Sequence, residues 1–186
     1  LLTPRLEQTG VMQGMSGSPV FIEGKLAGAI AFAFPFAKEP IAGIRPIEEM
    51  LGAKMSPTPG AAGARLHLGV PDLLAGMEER GGALREVLTP ISFAGMTAET
   101  VQHFAGAWRK LGFALQEGVA GSNPGQSSGT IQPGDMISVQ LLRGDLSAGA
   151  DGTVTHREGN RIFAFGHRFL AAGAVDFPFA KAEVLT

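Results

Sequence analysis

Apolar and polar positions along this chain follow two periods. Over the first 52 residues they form short strand-like runs. Val20-Phe21-Ile22, the pair Glu23-Gly24 and the stretch Lys25 to Ala31 predict two strands joined by a tight turn. Ile41 to Ile44 predicts another short strand, and Pro46 to Leu51 predicts one or two helical turns stopped at Gly52. Over 97–111 the period changes to that of a helix. Val101, Phe104, Ala105, Trp108 and Leu111 recur on one face, Thr97 suits the N-cap, and Gly112 suits the terminator. Strand character returns at Met136 to Leu142. It continues in a predicted hairpin of Gly152 to Arg157 and Arg161 to Phe165, turning at Glu158-Gly159-Asn160. Between these elements, Ser56 to Gly63 has linker composition, 71–80 allows a short helix, and 118–130 reads as a Gly/Ser/Asn/Pro loop.

This pattern divides the chain into a β segment over 1–52, a linker and helical insertion over 53–130, and a second β segment over 131–186. The chain opens on Leu1 and closes at Thr186 inside an apolar, strand-like stretch, so both ends are expected to be cuts in a longer protein.

Composition sharpens the class. The chain has 27 glycines and 12 prolines, which favours a turn-rich, mainly β protein over a helical bundle. Lys and Arg number 15 against 17 Asp and Glu, for a net charge of -2. No basic excess exists to neutralise phosphates, so no nucleic-acid partner is expected. The absence of cysteine excludes disulfides, thiolate metal sites and a cysteine nucleophile. No apolar run approaches the roughly 18 residues of a membrane span. Asp, Glu and His have no HExxH-type spacing, and neither metal nor cofactor is expected.

One motif carries chemistry. Gly14-Met15-Ser16-Gly17-Ser18-Pro19 surrounds a serine with small residues and then leads into a strand. A serine hydroxyl is a weak nucleophile. It needs a base beside it and backbone N–H groups aimed at the developing oxyanion, and a tight small-residue turn can supply the latter. The same turn could instead be a plain connection between strands, or bind an anion. Four histidines could serve as base. His67 falls in the linker, His103 on the helix and His156 at a hairpin end. His167 follows the apolar strand Ile162 to Phe165 and Gly166, which is the position expected at the rim of a barrel.

Two separated stretches resemble the SpoIVB peptidases, a family of trypsin-like bacterial serine endopeptidases. Gln13 to Val20 with Gly24 to Ala29 is similar to the family's serine motif. Gly152 to Thr155 through Ala164 to His167 is similar to its histidine motif, and Ala182 to Leu185 to the segment after it. The resemblance implies a trypsin-like β-barrel and hydrolysis of a protein or peptide substrate; the one clear helix, at about 97–111, comes from the periodicity and matches nothing in the family's core. Ser16 would be the nucleophile, His167 the base, and the N–H groups of Gly14 and Ser16 the oxyanion hole. It also implies an exported or cell-envelope location. Two departures stand out. The family order is histidine before serine, whereas here Ser16 comes first; the motifs are either permuted within one site or belong to separate modules. The family's acid precedes its serine, but no Asp lies in residues 1–13. Asp151 and Asp176, which flank the histidine segment, are the remaining candidates. The missing acid leaves a second expectation open: a non-catalytic relative that binds a peptide or partner protein.

Overall fold

A computed structural model describes residues 10–33, 41–52, 85–118, 129–167, 169 and 175–182. The predicted linker at 56–63, the short helix at 71–80 and His67 lie outside them.

The described residues form a mainly β structure with two open sheets. The first holds β1 (Pro19–Ile22), β2 (Lys25–Ala33) and β3 (Ala42–Pro46) in that order, with β4 (Arg85–Glu86) also on β2. Glu23 and Gly24 both have positive φ, 51° and 77°, which closes the β1–β2 hairpin in two residues. A five-residue helix, α1 (Ile47–Leu51), buries Ile47 and Met50 against Ala29 of β2.

The second sheet runs β10-β7-β8-β5-β6. It comprises β5 (Thr89–Ala94), β6 (Phe113–Glu117), β7 (Met136–Leu142), β8 (Ser147–Glu158) and β10 (Phe179–Ala182). The helix predicted at 97–111 is α2 (Ala98–Lys110), and it connects the parallel neighbours β5 and β6. Thr97 caps it, its hydroxyl accepting from the Thr100 N–H at 3.3 Å. The mainly β expectation holds, and among the described residues the two sheets do not close into a barrel. Closure requires every edge strand to find a partner, and among the described residues β6 and β10 have none on their outer sides.

Strand β8 is the long element of the fold. Its first part pairs with β5 and β7, and its end pairs with β9 (Arg161–Ala164). The core follows this strand. Ile91, Phe113, Ala148 and Ala150 form one buried cluster, and Trp108 packs on it from α2. The indole meets Phe93 and Phe113 edge-on, with centroids 5.8 and 5.7 Å away. Trp108→Ala is expected to lower unfolding stability by about 3 kcal/mol, read from urea denaturation. A change near zero would mean that α2 adds nothing to this core. Phe104, expected on the same face, is 50% exposed.

The turn Gln132 to Asp135 anchors the start of β7. The Asp135 carboxylate accepts from the Gln132 N–H at 2.9 Å and pairs with Lys181 of β10 at 2.9 Å. The Lys181 hydrogen bond, aided by that N–H, holds the Asp135 carboxyl below the usual carboxylate range.

Candidate active site

The serine loop is built from turns. Ser18 N–H donates to the Met15 carbonyl at 2.9 Å, and Gly17 N–H donates to Ile30 of β2 at 2.8 Å. Gly14 and Gly17 have φ of 88° and 91°, a region that other residues enter only under strain. Met15 N–H also donates within the loop, to Met12. The N–H groups of Gly14 and Ser16 donate to no acceptor among the described residues, although both residues are buried. Of the five N–H groups from Gly14 to Ser18, three therefore serve the fold and two are left available among the described residues.

The Gly152-Thr153-Val154-Thr155 run of β8 supplies the seat for this loop. Alternation along a strand sends Thr153 and Thr155 to one face and Val154 to the other. The Thr153 hydroxyl donates to the Gly14 carbonyl at 2.9 Å, and its N–H donates to the Ser16 carbonyl at 3.0 Å. The Thr155 hydroxyl donates to the Gly17 carbonyl at 2.6 Å. A register shift against β9 between Val154 and His156 passes over Thr155, and bulges of this kind re-aim a side chain. Val154 is fully buried with Ile137 and Phe165. A Cβ on Gly152 would collide with the Phe165 ring. Each residue of the run thus has a separate structural task.

The predicted strand Ile162 to Phe165 ends at Ala164. Phe165 turns the chain with φ of 70°, unusual for a residue with a side chain, and Gly166 continues the turn at 49°. The turn returns the chain to Ser16. The buried Ser16 hydroxyl, whose residue is 1% exposed, donates to the Phe165 carbonyl at 2.5 Å. The His167 N–H donates to the same carbonyl. Ser16 and His167, far apart in sequence, thus share one acceptor. Arg45 of β3 holds the turn from the first sheet, its Nε donating to the Gly166 carbonyl at 2.6 Å. Glu49 and Glu86 flank that guanidinium at 3.3 and 3.7 Å. The open depression lined by Phe32, Ile44, Arg45, Pro46 and Glu49 adjoins Arg45 rather than Ser16.

The half-buried His167 ring meets Thr89 of β5, Nε2 lying 3.3 Å from Oγ1. Among the described residues, the His167 contacts with Thr89 and the Phe165 carbonyl involve neither candidate acid. The Asp151 carboxylate accepts from the Ser92 hydroxyl at 2.7 Å. Asp176 is exposed in the segment before β10. His156 stacks on Phe163, and His103 meets Phe104 edge-on at the surface of α2. Among the described residues, no group of three His, Asp or Glu could hold a metal ion, and no helix is long and apolar enough to cross a membrane.

Sequence reasoning missed Thr89, Thr153, Thr155 and Arg45. The Thr-Val-Thr alternation was visible, but what faced each threonine depended on pairing across the fold. No protein-family model matches the chain, and no curated protein or solved structure matches it.

Proposed function

We propose that this chain is a serine endopeptidase of the SpoIVB type, on a scaffold related to the trypsin-like barrel and working in the cell envelope. The observation that carries the reading is the Phe165 carbonyl, which accepts from both the Ser16 hydroxyl and the His167 N–H. The two motif residues occupy one neighbourhood despite their order in the chain. Triads are defined by geometry, and unrelated folds order their members differently.

In the proposed reaction, Ser16 first exchanges its acceptor from the Phe165 carbonyl to the His167 ring. Rotation about Cα–Cβ suffices if the turn also shifts the ring toward Ser16. Its Oγ then attacks the scissile carbonyl carbon while the imidazole takes the proton. The N–H groups of Gly14 and Ser16, which donate to no acceptor among the described residues, stabilise the tetrahedral oxyanion. Collapse breaks the C–N bond, and His167 returns the proton to the leaving amine. Water then hydrolyses the acyl-serine by the same steps, with His167 again as base. No cofactor enters this scheme.

A fluorophosphonate probe tests it. Labelling is expected at Ser16, located by peptide mapping, and is expected to vanish in His167→Ala. Folded protein that resists the probe would favour the second reading, a peptide-binding domain without catalysis. The burial of Ser16 and its bond to a backbone carbonyl favour that reading, because they are what a structural serine would make.

A further inference from the structure

We infer that Thr89 is a positioning residue for His167, with its hydroxyl standing where a triad would use a carboxylate; the inference rests on the peptidase reading for its catalytic consequence. Thr89 is rigidly held. It is 2% exposed, its N–H donates to Gly112 at 2.9 Å, and it pairs with Phe113 in the β5–β6 ladder. A β-branched side chain in a strand has few χ1 choices, so the hydroxyl occupies a fixed point. That point is 3.3 Å from His167 Nε2. The histidine backbone is fixed independently: Arg45 holds the Gly166 carbonyl, and a Cβ on Gly166 would strike the Ile30 carbonyl.

A hydroxyl differs from a carboxylate in two ways. It carries no charge, so it stabilises an imidazolium less. It can still accept from Nε2–H, which favours the tautomer protonated on Nε2. Thr89 therefore selects a tautomer.

The test compares Thr89→Val, which keeps the shape and removes the hydroxyl, with Thr89→Ser, which keeps the hydroxyl. Nitrogen-15 spectra of the full chain report the His167 tautomer, with its signals identified by their loss in His167→Asn. Wild type and Thr89→Ser are expected to hold mainly the Nε2–H form, and Thr89→Val to lose that preference. Fluorophosphonate labelling of Thr89→Val is expected to slow about tenfold, as for loss of one neutral hydrogen bond. An unchanged tautomer in folded Thr89→Val overturns the assignment, whether or not Ser16 reacts. A wild type that never labels overturns the peptidase reading instead, and the spectra alone then decide Thr89.

Discussion

Gly17→Ala is expected to abolish the fold at 37 °C, with a stability loss above about 4 kcal/mol. Two effects add. The first is backbone strain, since Gly17 has φ of 91° and a side chain there costs about 1–2 kcal/mol. The second is steric. A Cβ at this position would collide with the Thr153 carbonyl oxygen and lie 2.6 Å from the Phe165 nitrogen. Both obstacles are backbone atoms, one in β8 of the second sheet and one in the turn after β9, and the Gly17 N–H is tied to Ile30 of the first sheet. Neither side can yield without breaking the hydrogen bonds that join the sheets. Gly134→Ala is the control. Its φ is also 91°, but nothing lies within 4 Å of the added carbon. Thermal melts followed by circular dichroism should give a modest loss for Gly134→Ala and a largely unfolded Gly17→Ala. Equal losses would mean that the serine loop is not clamped between the sheets.

That clamp also explains what could be read from the chain in advance. The β1–β2 hairpin, α2 and the β8–β9 hairpin were legible because their signals are local: a Glu-Gly turn, a capped 3.6-residue period and a Gly-Asn turn. Strands β5 and β6 were not. Thr89–Ala94 contains Pro90 and Ser92, and Phe113–Glu117 ends in Gln116 and Glu117, so neither shows an apolar run or clean alternation. They become strands because α2 packs over their parallel pairing, which is a tertiary effect. The first half of β8, Ser147 to Asp151, is too small and polar to announce a strand. Ser16, Gly14 and His167 were legible as a motif. Their partners Thr89, Thr153 and Arg45 were not, because each contact spans more than 70 residues. A hydroxyl or guanidinium in isolation carries no sign of what it will face.

Ser16→Ala separates the structural task of the serine from the chemical one. As a fold element, the Ser16 hydroxyl supplies one of two donors to the Phe165 carbonyl, and the His167 N–H remains as the other. Loss of one such bond costs about 1 kcal/mol, so the variant is expected to stay folded. As a nucleophile, the hydroxyl has no substitute, and loss of the attacking group costs about 10⁶-fold in kcat in serine peptidases. Hydrolysis of a peptide cleaved by wild type should therefore fall to background, while the melting curve moves by only a few degrees. His167→Ala should fall to a similar level, and the double variant little further, because the two residues act as one unit. Additive losses would mean that Ser16 and His167 do not cooperate. If wild type itself hydrolyses nothing and Ser16→Ala keeps its affinity for a bound peptide, the hydroxyl is a staple between two sheets. The short bond to Phe165 would then be its whole role.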